Sequence, residues 1–141
     1  MSSIHFFSEE VPFRLQQIRK TRAWLQTCIL NEEKIAGEIS YIFCNDEYLL
    51  NMNMEYLKHD TLTDIITFDY CEDDHISGDI FISIPRVKEN AKIYHRHFRD
   101  ELKRVMVHGV LHLCGYKDKS VKDSTQMRQK EDACLSLFEQ L

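Results

Sequence analysis

The residues best suited to chemistry lie in one short stretch of the chain, between His108 and Asp118. His108 and His112 are four residues apart, and side chains at positions i and i+4 lie on the same face of a helix. Gly115 can end that helix in a left-handed conformation and turn the chain back, so that Asp118 arrives as a third ligand. This layout, H-x-x-x-H-x-x-G-x-x-D, is typical of a catalytic zinc site whose fourth position is open. We therefore predict one zinc ion, held by His108, His112 and Asp118, at a site that also accepts nickel, cobalt or iron.

One residue separates this stretch from a zinc peptidase. Gly109 follows the first histidine, where such peptidases carry the glutamate that acts as general base. A metal ion with three protein ligands keeps a place for water and lowers the pKa of that water toward about 7. Such a water can attack a carbonyl carbon, a phosphodiester or an amidine carbon, and the spacing alone does not choose among them. A minimal metallopeptidase stays open as an alternative, although Gly109 argues against it.

Apolar periodicity predicts the elements that must position these ligands. The residues around the two histidines are largely apolar, which predicts a buried helix at about 99–114. Further helices are expected at about 11–30, 45–56, 85–97 and 123–141, and strands at 4–7, 38–44, 63–69 and 78–84, the last two paired as a hairpin. The expected class is α+β: a single domain spanning 1–141, with about four strands in a mixed sheet, about five helices and the metal site on a central helix.

Composition excludes several classes of protein. The chain has 141 residues, 43% of them hydrophobic, with only 4 Gly and 2 Pro, which suits one domain with a real core. No apolar run approaches the roughly 18 residues of a membrane span, and the N-terminal segment lacks the basic and apolar regions of a signal peptide, so a cytoplasmic location is expected. The 5 cysteines include no C-x-x-C pair, which argues against a disulfide framework and against a Cys-rich zinc site.

The charge distribution favours a phosphate-containing partner. A formal net charge of -5 argues against a general binder of polyanions. The segment that leads into the predicted metal helix is nevertheless basic, with Arg86, Lys88, Lys92, Arg96, Arg99, Lys103 and Arg104. Two interpretations are open, a solvated helix face or a phosphate-binding surface beside the metal site. Of the substrates that a metal-activated water can attack, a phosphodiester fits this neighbourhood best.

Three segments resemble the motifs of one protein family. The stretch His108-Gly-Val-Leu-His-Leu-Cys-Gly-Tyr-Lys-Asp118 resembles the H-G-x-L-H-L-x-G-Y-D-H motif of the YbeY family of bacterial metallo-endoribonucleases. Residues 53–68, NMEYLKHDTLTDIITF, resemble the family's N-x-x-Y-R-x-x-D-x-x-T-D-V-L-S-F block, and Gly78-Asp79-Ile80 resembles its G-D-I strand. The motifs occur in family order, and the match covers about 45–141.

The resemblance implies the activity and the partners of the chain. It implies a zinc-dependent endoribonuclease, specific for single-stranded RNA, that matures the 3′ end of 16S ribosomal RNA in the small ribosomal subunit and takes part in ribosome quality control. It assigns the catalytic role to the water held by His108, His112 and Asp118, and it implies no membrane partner. A ribosome-associated binding module with a structural metal is the further alternative.

Two positions depart from the family pattern. The third ligand is usually a histidine, whereas Asp118 stands here; aspartate is a competent oxygen ligand of zinc, and its charge should make bound water less acidic. Leu57 stands where the family has an arginine that is expected to hold phosphate. Thr63 and Asp64 are expected to position substrate or to support a ligand histidine. The candidate phosphate contacts in place of the family's arginine are Lys58, His59, Arg86 and Lys88.

Overall fold

A computed structural model describes residues 4–58 and 63–141 of the chain. The strands in these ranges are β1 (Ile4–Ser8), β2 (Ile35–Cys44), β3 (Ile65–Asp69) and β4 (His75–Ser83). The helices are α1 (Ile18–Asn31), α2 (Asp46–Tyr56), α3 (Ile84–Ile93), α4 (Phe98–Leu113) and α5 (Val121–Phe138). Four strands and five helices within the described residues confirm the predicted α+β class.

The four strands form one mixed sheet in the order β1-β2-β4-β3. β2 pairs in parallel with both β1 and β4, because α1 carries the chain between the first two strands and α2 lies between β2 and the β3–β4 pair. β3 runs antiparallel to β4, with Ile66 opposite Phe81, which confirms the predicted hairpin. This order places β4 inside the sheet.

Side chains alternate along the strands between two apolar cores. Ile39, Tyr41 and Phe43 of β2 face the larger core, which α1, α4 and α5 close. Cys44 and Phe81 face the smaller core, which α2 closes on the opposite side of the sheet. The period of two residues follows from the pleat of a strand. The sheet is therefore covered on both faces.

α4 is the central helix of the fold. It packs against β3, β4, α1, α3 and α5. The Tyr41 hydroxyl donates to the backbone oxygen of Met106 over 2.8 Å, and both residues are fully buried, so a polar bond inside the core fixes α4 on β2. His108 and His112 both lie on this central helix, as predicted, while their role as metal ligands stays a prediction.

Two predicted helices are shorter than expected. The first begins at Ile18 rather than near 11, because Phe13 packs edge-on against the rings of Phe43 and Phe98, 5.0 and 6.0 Å away, and this tertiary packing overrides the helical periodicity. The third ends at Ile93 rather than near 97, because His95 has a left-handed backbone (φ 55°) that a helix cannot continue. In the described residues, no helix combines the length and the apolar character that crossing a membrane requires.

Candidate metal centre

Two histidines of α4 present their side chains to one point. His108 and His112 have ring centroids 4.5 Å apart and ring planes at 86° to one another. Their side chains are 20% and 27% exposed, so the imidazoles stand at the rim of the core. The spacing of four residues on a straight helix accounts for this arrangement, as the sequence predicted.

Hydrogen bonds fix which nitrogen of each imidazole faces outward. Nδ1 of His108 lies 2.6 Å from Oε2 of Glu131, and Nδ1 of His112 lies 2.9 Å from the backbone oxygen of Tyr116. A carboxylate and a carbonyl can only accept, so each Nδ1 carries a hydrogen, and in the neutral imidazole each Nε2 presents a lone pair. Acceptors of this kind orient the histidine ligands of metal sites.

Asp118 completes a set of three ligand atoms. Its Oδ2 lies 3.3 Å from Nε2 of His108 and 3.4 Å from Nε2 of His112. Bonds to zinc of about 2.0–2.2 Å in a tetrahedron place neighbouring ligand atoms about 3.3–3.6 Å apart. The three ligand atoms lie within 4.8 Å of one another. The donor set therefore fits one divalent ion, and the described residues add no fourth ligand to it.

The turn that carries Asp118 is fastened at several points. Gly115 has φ +109°, a conformation that favours glycine, and its N–H donates to the backbone oxygen of His112. The Tyr116 hydroxyl donates to Glu32 at the end of α1, while the Ser124 hydroxyl donates to the backbone oxygen of Asp118. The Asp118 side chain is 44% exposed, while its backbone oxygen is bonded to Ser124. The third ligand is thus held in place by hydrogen bonds from both flanking helices.

A buried carboxylate links the metal centre to α5. Glu131 is 6% exposed and accepts from Arg104 over 2.8 Å through Oε1, while Oε2 accepts from His108. Arg104 also donates to Asp132 over 2.7 Å. Burial lowers the pKa of His108, but the hydrogen bond to Glu131 and the negative charges of Glu131 and Asp118 outweigh it, so the pKa is raised. The same carboxylate therefore orients His108 and strengthens its basicity.

The centre opens into a polar cleft of about 280 Å³. His108 and Asp118 line it together with Ile65, Asn90, Tyr94 and Val105. Four carboxylates and three arginines of the described residues also line it, namely Asp64, Glu101, Asp118 and Glu131 with Arg96, Arg104 and Arg128. With four carboxylates against three arginines, the formal charge of this lining is negative, and a bound divalent ion would make it positive. A bound ion would therefore make the cleft more attractive to an anion.

Comparison with known proteins decides the family. The chain matches the family described as endoribonuclease YbeY over residues 3–139. The chain belongs to the endoribonuclease YbeY family. Proteins named endoribonuclease YbeY from Flavobacterium johnsoniae and Cytophaga hutchinsonii are each 54% identical to it, over 94% and 96% of this chain and 95% of each relative. The one from Porphyromonas gingivalis is 46% identical over 99% of this chain and 93% of the relative.

The fold has a counterpart among solved structures. The solution structure of TM1509 from Thermotoga maritima is similar with a TM-score of 0.68 and 24% sequence identity, covering 96% of this chain and 88% of that one. This likeness concerns the fold alone. The resemblance to the YbeY family that the three sequence motifs carry is confirmed by the family match.

Gly109 of this YbeY family member has a packing explanation. A Cβ at this position would lie 3.0 Å from the side chains of both Ile65 and Ile80, because α4 presses against the sheet there. The residue is buried and faces Ile65 of β3 and Ile80 of β4. Any side chain larger than that of glycine would therefore require Ile65 and Ile80 to shift. Close helix–sheet contact accounts for the glycine that distinguishes this stretch from a peptidase.

The predicted substrate contacts fall into separate places. Asp64 lines the cleft, where its carboxylate accepts from the Asn90 amide over 3.2 Å, and burial raises its pKa. Thr63 is next to it and donates to the backbone oxygen of Ile65. The roles of both in substrate binding stay predictions. His59 lies outside the described residues, and Lys58 is exposed and does not line the described cleft.

The two basic residues predicted on α3 also lie outside the lining of the cleft. Arg86 donates to Asp46 over 3.0 Å, and Asp46 also accepts from the Ser83 hydroxyl. Lys88 places its ammonium 5.8 Å from the ring centre of Phe98. Their predicted contacts with phosphate stay predictions. The arginines that do line the cleft are Arg96, in the turn before α4, Arg104 on α4 and Arg128 on α5.

Sequence reasoning missed Glu131 and Arg128. Neither belongs to a motif around the histidines, and both lie on α5, beyond the ligand turn. The buried residues of α5 are Met127, Glu131, Cys134 and Phe138, which recur at helical spacing. A charged residue on the apolar face of a helix needs a buried partner. That position of Glu131 is the signal from which its partnership with the centre could have been predicted.

Proposed function

We propose that this chain is a zinc-dependent endoribonuclease that hydrolyses phosphodiester bonds of single-stranded RNA at the centre formed by His108, His112 and Asp118. Family membership supports the coarser statement, that the chain is a nuclease acting on RNA. One observation carries the finer one: Oδ2 of Asp118 stands 3.3 and 3.4 Å from the two histidine Nε2 atoms, the spacing of ligands around a tetrahedral ion.

Each part of the site has a task in this reaction. A bound divalent ion supplies a Lewis acid and makes water a nucleophile near neutral pH. Glu131 and the Tyr116 backbone hold the two imidazoles with their lone pairs toward the ion. Arg128 is exposed, lines the cleft and makes no ion pair with the residues that the structure describes, so its guanidinium is available for a phosphate oxygen.

We place the natural substrate in ribosome production. The proposal is maturation of the 3′ end of 16S ribosomal RNA on the small ribosomal subunit, together with ribosome quality control, in the cytoplasm, with residues 1–141 acting as one catalytic domain. It is supported by the match to the family over residues 3–139 and by the motifs that the chain shares with that family.

The proposal is tested with protein that has been stripped of metal and reloaded with zinc. We expect cleavage of single-stranded RNA, little cleavage of a duplex of the same sequence, and none of casein. EDTA should abolish cleavage and zinc should restore it. Asp118→Ala should lose both stoichiometric zinc, measured by mass spectrometry of the metal content, and RNA cleavage. Glu139→Ala, which removes an exposed carboxylate far from the ligand turn, serves as the control.

Each alternative predicts a different result. RNA cleavage that survives EDTA contradicts metal dependence, and hydrolysis of casein would support the metallopeptidase. Binding of RNA or ribosomes without cleavage, with zinc retained, would support a binding module with a structural metal. Equal turnover with nickel, cobalt or iron would leave the endoribonuclease in place and change only the ion.

A further inference from the structure

An exposed aromatic side chain stands in the wall of the metal cleft. Tyr94 is 56% exposed and lines the cleft together with His108 and Asp118. Tyr56 and Tyr70 are equally exposed, at 57% each, but Tyr56 packs edge-on against Phe68 and neither lines this cleft. Exposure alone therefore does not single out Tyr94, whereas its place in the lining of the cleft that also contains two predicted metal ligands does.

The end of α3 holds Tyr94 in a fixed place. The N–H of Tyr94 donates to the backbone oxygen of Asn90, and that of Arg96 donates to the backbone oxygen of Ala91 over 2.8 Å. Between them His95 adopts a left-handed conformation, with φ 55°, which reverses the chain. The backbone around the ring is thus a hydrogen-bonded turn.

A fixed cation lies against the Tyr94 ring. Cζ of Arg96 is 5.2 Å from the ring centroid, within the range of a cation–π contact. Nη1 of Arg96 is 2.8 Å from Oε1 of Glu101, which is only 4% exposed. Because a buried carboxylate anchors the guanidinium, the guanidinium can support the ring in one orientation. More than half of the tyrosine is still left to solvent.

A flat, supported aromatic ring beside a phosphodiester-cleaving centre matches the chemistry of an unpaired nucleobase. Unpaired bases of RNA stack on aromatic rings and on arginine planes, whereas bases inside a duplex are covered by their neighbours on both faces. We infer that Tyr94, backed by Arg96, is a stacking platform for one unpaired base of the RNA substrate, close to the phosphodiester that is cleaved. The inference rests on the proposed function, and it gives that function a physical basis for preferring single strands.

The inference is tested by fluorescence of a base that reports stacking. Metal-loaded protein is mixed in a stopped-flow instrument with short single-stranded RNAs that carry one 2-aminopurine, so that quenching is recorded before the strand is cut. Quenching is expected with the wild type and with Tyr94→Phe, which keeps the ring. Tyr94→Ala should lose the quenching and bind about 5- to 150-fold more weakly, the range for one lost base–aromatic stack. Tyr70→Ala, a tyrosine of matching exposure outside the cleft, should behave as the wild type.

A second measurement distinguishes the loss of one base contact in Tyr94→Ala from a general loss of folding. RNAs with one abasic nucleotide, moved along the strand, should bind the wild type more weakly at one position, and Tyr94→Ala should be insensitive to that position. Undiminished quenching by Tyr94→Ala overturns the platform, and so does a Tyr94→Phe variant that loses the quenching as the alanine variant does. RNA binding that is unchanged in Tyr94→Ala, as expected if this surface serves a protein partner instead, also overturns it. Quenching that depends on Tyr94 in a protein that cleaves no RNA would keep the platform and reject the proposed function.

Discussion

Replacing Glu131 by glutamine should weaken metal binding without dismantling the fold. Both oxygens of Glu131 are in use, Oε2 for His108 at 2.6 Å and Oε1 for Arg104 at 2.8 Å. A glutamine has one acceptor oxygen, so its amide N–H₂ must face either Arg104, which has only donors, or Nδ1 of His108. In the second orientation the hydrogen moves to Nε2 of His108, and the lone pair that faces the ion is lost.

The size of the effect follows from the role of such partners in metal sites. Loss of a carboxylate that orients a ligand histidine lowers metal affinity about 10- to 100-fold, which corresponds to about 1.4–2.7 kcal/mol. Arg104 keeps Asp132 as a partner at 2.7 Å, so Glu131→Gln should fold. Competition with a chelator at pH 8 measures the affinity, and thermal unfolding of the metal-free protein measures the fold separately. Asp132→Asn is the matched control, since it removes the other partner of Arg104 and does not touch His108.

The pH dependence gives the same prediction a second readout. The pKa of His108 is raised, so protons compete with metal in the wild type as the pH falls through that value. Glu131→Gln removes the hydrogen bond and the charge that raise the pKa, so proton competition in the variant should set in at lower pH. The deficit of the variant should be largest above the raised pKa of His108 and should narrow as the pH falls through it. A folded Glu131→Gln protein that binds zinc like the wild type at pH 8, or an equal loss in Asp132→Asn, refutes the reasoning.

Three further substitutions probe the packing, the cleft and the substrate. Gly109→Glu should destabilise the fold by about 3–5 kcal/mol in urea unfolding, as an uncompensated buried charge does, and should create no casein hydrolysis. A variant as stable as the wild type would contradict the close contact of α4 with the sheet. Burial raises the pKa of Asp64, so the charged form of this carboxyl destabilises the fold above that pKa. Asp64→Asn should therefore melt at a higher temperature than the wild type at pH 7, and the difference should disappear below pH 3.8, the unperturbed pKa. A difference in melting temperature that persists below that pH would contradict burial of the charge as the cause. Arg128→Gln should weaken RNA binding and reduce the slope of log affinity against log salt by about 0.7, as loss of one phosphate contact on single strands does. Arg19→Gln, which changes an exposed arginine of α1 outside the cleft and outside the basic segment, should keep the slope.

The parts of the site that sequence predicted depend on local geometry. His108 and His112 meet because four residues make about one helical turn, and Gly115 turns the chain because it tolerates positive φ. Asp118 follows from the same short count. The β-branched and aromatic residues of β3 and β4 similarly predicted two strands, and the short acidic loop between them predicted their pairing.

The parts that sequence did not predict depend on distant segments. Glu131 reaches His108 only because α5 packs along α4, and nothing near the histidines in sequence specifies that partner. The strand order, with β4 between β2 and β3, depends on crossovers of the whole chain. Phe13 stays outside α1, which begins at Ile18, because it packs on Phe43, thirty residues away in sequence. Local periodicity carries no information on such contacts.

The place of Glu131 along the chain determines when the centre can act. The four strands precede the ligands, the histidines follow on α4, and Glu131 comes last, on α5. Because synthesis starts at the N-terminus, the four strands of the sheet are made before α4 and α5. A chain that has grown only as far as Asp118 carries three ligand side chains, but the carboxylate that accepts from Nδ1 of His108 has not been made. We therefore expect full affinity for an ion only after α5 has packed on α4, so that folding of the last helix precedes full activity.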